Sequence, residues 1–214
     1  MISADAAALP FSVKMQGEPL HPSLEDSSID FALMERIGEG DGAAFRSLVE
    51  RHQDAVVGTV AKMLGNPSEA EDIAQQVFLR IWKNAKRYRP DAKFTTYLFT
   101  ITRNLVFTES RRRSRRREVS ADDRAENSHS SIPANPDQQP DSVTLQAELQ
   151  SKVDQAIATL PEVQRLAVVL RQYEQLSYEE IAEVLALSVS AVKSLLFRAR
   201  TRLREILASY LLDS

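Results

Sequence analysis

The chain has 214 residues, of which 43% are hydrophobic and 27% are charged, and its formal net charge is −3. These proportions are ordinary for a globular protein with one large or two small domains. Because there is no cysteine, the sequence excludes disulfides, thiolate zinc sites and cysteine nucleophiles. The three histidines, His21, His52 and His129, are far apart and in dissimilar contexts, so we expect no metal site and no cofactor.

The sequence also lacks the signals of a membrane or secreted protein. No stretch approaches the roughly 20 apolar residues of a membrane-spanning helix. The N-terminus has no basic start followed by an apolar core. We therefore predict a cytoplasmic protein with no membrane contact of its own. Residues 103–117 and 193–204 are strongly basic although the whole chain is acidic, which favours a polyanionic partner.

The first part of the chain divides into an extension and a helical domain. Residues 1–28 show no clear periodicity, and we predict a flexible N-terminal extension. Residues 29–117 have helical apolar spacing and form the first predicted domain. Gly65 and Asn66 should end one of its helices.

Two further signals place helices within this domain. Ser68 precedes Glu71 by three residues, the spacing of a capping box that would open the next helix. Pro90 interrupts the pattern, and another helix should run from about Phe94 into a run of arginines.

A polar segment separates this domain from a second one. Residues 118–141 contain three prolines and no aromatic residue, which predicts a disordered linker. A coil of about 24 residues has a relaxed span of roughly 27 Å, so the flanking domains could bind well-separated surfaces. Residues 142–214 are helical again. Strand signals are absent, and the predicted fold is all-α, with two small helical domains joined by a flexible linker.

The most informative segment runs from Leu176 to Leu207. Ser177 and Glu180 have capping-box spacing and should open a short helix. Ala186 and Leu187 make a brief turn, and Ser188 can N-cap a longer, basic helix. Two helices joined this tightly indicate a DNA-binding helix-turn-helix.

The longer helix has two distinct faces at 100° per residue. Its apolar side chains cluster on one side: Val192, Leu195, Leu196, Ala199 and Leu203. The opposite side holds Ser190, Ser194, Phe197, Arg198 and Thr201, flanked by Lys193 and Arg204. Phe197 is the anomaly on this polar face. It either contacts another part of the domain or packs on a thymine methyl or sugar of DNA.

These segments resemble a known family. LSYEEIAEVL and SAVKSLLFRARTRLRE resemble the fourth conserved region of bacterial RNA polymerase sigma factors of the sigma-70 family. SEAEDIAQQVFLRIW and FTTYLFTITRNLVFTESRRR resemble their second region. With only these two domains, the chain resembles the extracytoplasmic-function (ECF) group. The resemblance implies a stress-responsive protein that binds core RNA polymerase, promoter DNA and an anti-sigma factor.

The resemblance implies a polymerase-binding role for the helix from Ser68 to Trp82. In the family this helix grips a coiled coil on the largest subunit, and the polymerase flap is a further contact. The matching positions are Asp72, Gln75, Gln76 and Leu79. The family usually has a carboxylate where Gln76 stands. The plainer interpretation is a helix whose Ile73, Val77 and Trp82 pack inside, and both can hold on different faces.

The resemblance also assigns residues to the −10 element, where the family melts the duplex and captures a flipped base. The matching positions are Tyr88, Lys93, Phe94, Thr96, Tyr97, Arg103, Asn104 and Arg111. Aromatic rings offer stacking surfaces and cations neutralise phosphates, although aromatics at this spacing are equally typical of a core. The family often has tryptophan where Tyr97 stands.

Two basic segments complete the predicted DNA contacts. At the −35 element the family reads the major groove with the second helix of its helix-turn-helix, which here implies Ser190, Lys193, Ser194, Phe197 and Arg198. Residues 111–117 contain six arginines in seven positions, too many for one helical face. They indicate non-specific phosphate attraction or a solvated helix end.

Three other functions account less well for the sequence. A stand-alone helix-turn-helix regulator explains the C-terminal segment but leaves residues 68–113 unexplained. An enzyme would need a His/Asp/Glu constellation, a Gly-rich phosphate loop or metal spacing, and none is present. A pure interaction module does not account for the basic helix. The sequence therefore predicts a sigma factor that is not an enzyme.

Overall fold

The computed structural model describes residues 24–89, 91–122 and 143–212. Every regular element in these ranges is helical, which confirms the predicted all-α class. The helices are α1 (Leu24–Gly38), α2 (Gly42–Leu64), α3 (Pro67–Asn84), α4 (Phe94–Asp122), α5 (Val143–Ala158), α6 (Glu162–Gln172), α7 (Tyr178–Leu185) and α8 (Val189–Leu212), with a 3₁₀ turn at Ala85–Arg87 after α3.

The helices form two bundles. Helices α1–α4 make the first, and helices α5–α8 make the second. Each bundle has its own fully buried side chains, which is what a helix with one apolar stripe requires. In the first they include Met34, Leu48, Val56, Val60, Val77, Ile81, Leu98 and Val106. In the second they include Leu160, Leu166, Leu170 and Ile181.

Local capping determines where α2 begins and ends. Asp41 accepts hydrogen bonds from the backbone N–H groups of Ala43 (2.8 Å) and Ala44 (3.0 Å), which satisfies donors left free at a helix start. The helix ends at Gly65, whose φ of 69° is the left-handed conformation that glycine adopts without strain. The predicted stop at Gly65 and Asn66 is confirmed.

The helices extend past two predicted boundaries. Helix α1 begins at Leu24, so the last residues of the predicted extension, 24–28, are helical. Helix α4 continues to Asp122, so residues 118–122 belong to it and not to the linker. In both places an existing helix adds one backbone hydrogen bond per residue at little further cost. Residues 1–23 of the extension and 123–141 of the linker lie outside the described residues, as do His21 and His129.

The two bundles pack against each other instead of standing apart. Helix α4 lies against α7, and α2 lies against α5 and α6. The buried side chains of both bundles form one continuous cluster. The Arg165 guanidinium of α6 donates to the backbone carbonyl of Met63, near the end of α2, at 2.7 Å. The linker length permits separation, but in this structure the bundles share a face.

Candidate nucleic-acid and polymerase interface

Helices α7 and α8 form the predicted helix-turn-helix. The Ser177 hydroxyl accepts from the Glu180 N–H (3.1 Å), and the Glu180 carboxylate accepts from the Ser177 N–H (2.7 Å). This reciprocal pair is the predicted capping box. Ala186 takes a left-handed conformation at φ 55° to make the turn. Ser188 accepts from the Ala191 N–H at 3.2 Å, as an N-cap does.

The two faces of α8 are separated as the spacing predicts. The apolar stripe is buried in the second bundle: Val192, Leu196, Ala199 and Leu203 are at most 6% exposed. The predicted −35 residues are all exposed: Ser190, Lys193, Ser194, Phe197 and Arg198. Ser190 and Ser194 are short, so the start of this face allows close approach to a groove.

Phe197 stands free on this face, with 71% of its surface exposed. Contact with another part of the domain, one of the two interpretations of its position, is therefore not observed. Leaving the apolar surface of a phenylalanine in water is unfavourable in free energy. A partner that covers this ring would recover that free energy.

Helix α3 begins two residues earlier than the sequence predicts. Asn66 is its N-cap and accepts from the Ser68 N–H at 3.1 Å, while its amide donates to Glu69 at 3.1 Å. Pro67 occupies the first turn, where its missing N–H has no cost. The predicted Ser68–Glu71 capping box is therefore wrong, because Asn66 and Pro67 form a stronger start signal just upstream.

The exposed face of α3 carries the predicted polymerase-binding residues. Asp72, Gln75, Gln76 and Leu79 are exposed. Leu79 is 52% exposed, and Trp82, at 37%, packs its ring edge against Phe45 with centroids 5.0 Å apart. Ile73 and Val77 lie in the core. Helix α3 thus has a buried face and a separate outer face that combines polar groups with an exposed leucine.

The aromatic residues predicted for the −10 element form one cluster. Tyr88 lies 5.1 Å from Tyr97 and 6.2 Å from Phe94, measured between ring centroids. Burial raises the pKa of both tyrosines, so their phenols stay neutral and keep their protons to donate. Both tyrosines are half-buried, with part of each ring accessible.

Two residues of the predicted −10 set are not accessible. Phe94 is 3% exposed and packs on His52 with ring centroids 5.1 Å apart. Thr96 is 4% exposed. Phe94 is therefore a core residue in this structure and not a stacking platform, because it faces α2. Thr96 is covered as well and does not contribute to the accessible surface.

A cavity of about 540 Å³ adjoins the tyrosine cluster. It is lined by Arg80, Asn84, Arg87, Tyr88, Arg89, Tyr97, Thr100, Ile101 and Asn104. Arg80 and Asn84 on α3 were missed in the sequence, because Arg80 is in the segment assigned to polymerase binding and Asn84 is between that segment and the predicted −10 residues. The spacing of Arg80, Asn84 and Arg87 (i, i+4, i+7) places them on one helical face, which is the signal that could have found them.

The predicted cations near the −10 site differ in whether they contact the second bundle. Lys93 forms an ion pair with Glu180 of α7 at 2.9 Å. Arg103 donates to the carbonyl of Val184 at 2.5 Å and to the side-chain oxygen of Asn104 at 2.7 Å. Asn104 and Arg111 are exposed. Two of the predicted phosphate contacts are thus engaged by the second bundle.

The arginine run divides between structure and solvent. Arg113 donates to the carbonyl of Leu64 at 2.8 Å, which satisfies the end of α2, and it also pairs with Glu69. Arg115 and Arg116 are exposed. The run therefore does not act as one surface: one arginine holds α4 on the α2–α3 turn, and the exposed ones present positive charge.

Neither a metal cluster nor a membrane span is found in the described parts of the chain. No group of three or more His, Asp or Glu side chains there is placed to hold a metal ion. Among residues 24–89, 91–122 and 143–212, no helix has the length and apolar character needed to cross a bilayer.

Comparisons with known proteins identify both bundles. The family model described as Sigma-70 region 2 matches residues 48–116, and that of Sigma-70, region 4 matches residues 150–203. The RNA polymerase sigma-H factor of Pseudomonas aeruginosa is 34% identical over 188 residues, 86% of this chain and 97% of the relative. The ECF RNA polymerase sigma-E factor of Haemophilus influenzae is 34% identical over 174 residues, 80% of this chain and 91% of the relative.

A solved structure has the same fold over both bundles. The sigma factor RpoE from Bartonella quintana, in a co-crystal with the anti-sigma factor NepR, has a TM-score of 0.59. It is 25% identical, and the match covers 77% of this chain and 96% of that chain. With an exposed helix-turn-helix, an exposed α3 face and these relatives, the chain belongs to the ECF group of sigma-70 factors, the non-enzymatic subunits that direct RNA polymerase to promoters.

Proposed function

We propose that this sigma factor reads its promoter at two places and holds the polymerase at a third. Helix α8 enters the major groove at the −35 element. The tyrosine cluster and its cavity take part of the −10 element. The outer face of α3 binds the coiled coil of the polymerase's largest subunit, while the second bundle binds the flap.

The observation that carries this proposal is the open face of α8. All five predicted −35 residues are exposed there, opposite a buried stripe. A helix held this way presents side chains to base edges without distortion of its own bundle. Arg198 is suited to a guanine, whose two major-groove acceptors match the guanidinium. Phe197 is suited to a thymine methyl.

The cavity beside Tyr88 and Tyr97 is suited to a single unstacked base. Unstacking a base costs a few kcal/mol, and a base stacked on an aromatic ring recovers about 1–3 kcal/mol. The lining guanidinium groups of Arg80, Arg87 and Arg89 supply positive charge for the strand's phosphates. Asn104 offers an amide that can pair with a base edge.

The outer face of α3 has the mixed character of a protein-binding surface. Leu79 supplies apolar area, and Asp72, Gln75 and Gln76, in the turns before it, offer hydrogen-bonding groups. Because this face is on the far side of α3 from the buried residues, polymerase can bind it without disturbing the core.

We also propose an anti-sigma partner and a cytoplasmic location. The Bartonella quintana relative was crystallised with an anti-sigma factor, and this chain has the same fold. Core RNA polymerase and promoter DNA, the partners of a sigma factor, are cytoplasmic in bacteria. Co-purification of the chain from its source would identify the anti-sigma factor.

The test is run-off transcription with purified bacterial core polymerase on fragmented DNA of the source organism. Discrete transcripts that appear only with the protein are expected, and their start sites give the −10 and −35 sequences. Absence of transcripts, combined with a duplex footprint by the protein alone, would instead support a stand-alone regulator.

A further inference from the structure

A buried carboxylate on α1 holds a histidine of α2 inside the first bundle. Asp30 is 1% exposed. The Nε2 atom of His52 lies 3.0 Å from the Oδ1 atom of Asp30, and the Nε atom of Arg51 donates to the same oxygen at 3.1 Å. Because a carboxylate only accepts hydrogen bonds, Nε2 is the donor of the His52 bond. A buried carboxylate is costly without such donors, so this bond fixes the orientation of the His52 ring.

The His52 ring is connected to the cavity beside the tyrosine cluster through one further ring. His52 packs on Phe94 with centroids 5.1 Å apart. Phe94 in turn lies 6.2 Å from Tyr88 and 6.3 Å from Tyr97, the two tyrosines that line the cavity. His52 and Phe94 are both buried, so they act on the cavity only through the tyrosines. Because buried side chains are close-packed, a displacement of one ring is passed to the next.

Helix α1 also supports the backbone next to one of these tyrosines. It packs against the 3₁₀ turn Ala85–Arg87, which directly precedes Tyr88. Met34 and Ile37, one and two turns after Asp30, are buried in the core of the same bundle. Burial raises the pKa of Tyr88, and the charge of Asp30 raises it further, which places the carboxylate within electrostatic reach of the phenol. Helix α1 therefore acts on Tyr88 both through the turn and through the buried rings.

We propose that Asp30 and His52 are positioning residues for the −10 cavity: the carboxylate orients the histidine ring, and the ring holds Phe94 against Tyr88 and Tyr97. The cavity then has its shape before DNA binds, so a base enters without first ordering the aromatic side chains. Neither positioning residue touches the DNA. This inference rests on the proposed role of the cavity in −10 binding and is independent of how α8 binds the −35 element.

The positioning is tested first without DNA, by fluorine NMR of the full-length protein labelled with 3-fluorotyrosine. The chain has five tyrosines, and the variants Tyr88→Phe and Tyr97→Phe identify the two cavity signals. His52→Gln keeps a donor close to the place of Nε2 but removes the ring, and it should shift both cavity signals. The signals of Tyr173 and Tyr178, in the second bundle, should not move. Unchanged cavity signals in His52→Gln would overturn the proposal whatever any DNA assay shows.

The effect on DNA is tested with a short single strand that carries the −10 sequence found by run-off transcription. His52→Gln should bind this strand about fivefold more weakly, because a base stacks incompletely on displaced tyrosines. Its binding to a duplex that carries only the −35 element should not change. Tyr88→Ala tests the cavity itself and should lose at least as much affinity for the strand. If Tyr88→Ala binds normally, the cavity is not the −10 site; if only His52→Gln binds normally, the positioning alone is overturned.

A core substitution on the same helix separates positioning from a general loss of stability. Val60 is fully buried and lies two turns beyond His52, about 12 Å along α2. Val60→Ala should lower the free energy of unfolding in urea and leave −10 binding unchanged, at a temperature at which circular dichroism shows every variant folded. If Val60→Ala loses as much affinity for the −10 strand as His52→Gln does, His52 contributes only stability and the proposal fails.

The carboxylate is tested by two variants with the same change of charge. Asp30→Ala removes the acceptor of His52 and should weaken −10 binding, whereas Asp30→Asn keeps an acceptor oxygen and should retain most of the affinity. Since both remove one negative charge, the general attraction of DNA to the protein is equal in the two. Equal affinities of the two folded variants would show that Asp30 does not orient His52. If Asp30→Ala does not fold, the comparison of His52→Gln with Val60→Ala decides.

Discussion

The two surfaces proposed to contact promoter DNA are presented very differently. On α8, all five candidate side chains are exposed, including Phe197 at 71%. On α4, by contrast, Phe94 and Thr96 are buried, and Arg103 contacts the second bundle, as does Lys93 just before the helix. Both surfaces come from segments that carry a net positive charge. The difference arises from what packs over each helix, so the polarity of a segment does not by itself establish that it is accessible.

This contrast suggests an order of events at a promoter. A surface that is already exposed needs no rearrangement to bind, whereas a covered one binds with its affinity reduced by the fraction of open molecules. The −35 face of α8 is in the first state, whereas Lys93 and Arg103 of the predicted −10 set are in the second. Four predictions test this difference, from the largest expected effect to the smallest.

Two adjacent residues test the division of α8 into a buried side and an exposed side that carries the predicted −35 residues. Leu196 is 2% exposed and Phe197 is 71% exposed. Leu196→Ala should lower the free energy of unfolding by about 2–5 kcal/mol, because it removes buried methylene groups and leaves a cavity. Phe197→Ala should change it by less than about 0.5 kcal/mol while weakening −35 binding. Urea denaturation followed by circular dichroism measures both, and comparable losses of stability would mean that Phe197 is packed.

The packing of the two bundles should depend on pH through Glu174, which contacts Thr59 of α2. Burial raises the pKa of Glu174 from 4.5 to about 7, while the Thr59 hydroxyl and the Lys62 ammonium partly oppose this shift. Asp154, paired with Lys62, is the other charged group at this contact. Below pH 4.5 Glu174 keeps its proton whether the bundles are packed or separated. Between 4.5 and 7 only separated bundles would release it, so the packing of the bundles weakens as pH rises and becomes independent of Glu174 above about 7.

We expect the ratio of packed to separated bundles to fall by roughly tenfold or more across this pH range. The chain has no native cysteine, so dyes on Gln53→Cys and Glu205→Cys report the separation of the bundles by energy transfer. Glu174→Gln keeps an oxygen for the Thr59 hydroxyl but does not titrate, and its energy transfer should not vary with pH. A pH dependence that persists in Glu174→Gln would assign the effect to another group.

The exposed face of α8 should bind some base pairs of the −35 element in preference to others and not merely attract DNA. Arg198→Ala is expected to cost about 1–3 kcal/mol at particular base pairs of the −35 element and to relax preference there. The control is Arg202→Ala, whose guanidinium lies 3.6 Å from Glu205 and which we place on phosphates or the surface. Binding measured across a set of single-base variants separates the two. A uniform loss with Arg198→Ala would show that Arg198 contacts only phosphate.

The helix caps give the smallest expected effects. Ser177→Ala should destabilise α7, the helix that covers α4, by about 1 kcal/mol, because the Glu180 N–H loses its acceptor. In α3, Asn66→Ala should cost a similar amount, whereas Ser68→Ala should change stability by less than about 0.5 kcal/mol. Thermal denaturation measures all three. A larger loss with Ser68→Ala than with Asn66→Ala would restore the capping box predicted from the sequence.

Local signals accounted for most of the helices. The helix-turn-helix was predicted correctly because Ser177, Glu180 and Ser188 act on backbone groups two or three residues away. The same kind of signal failed at Ser68 because Asn66 and Pro67 lie two residues upstream and compete for the same helix start. Capping depends on neighbours in sequence, and so it can be predicted from sequence when one candidate is clearly best.

The sequence by itself determined the all-α class, the two bundles and the division of α8 into a buried and an exposed face, because these depend on periodicity and on contacts between near neighbours. Only the tertiary structure decided which −10 residues are accessible. Lys93 meets Glu180 and Arg103 meets Val184 across more than eighty residues of chain, and Phe94 packs against His52 on another helix. Such contacts depend on how whole helices pack, which no spacing within one helix specifies.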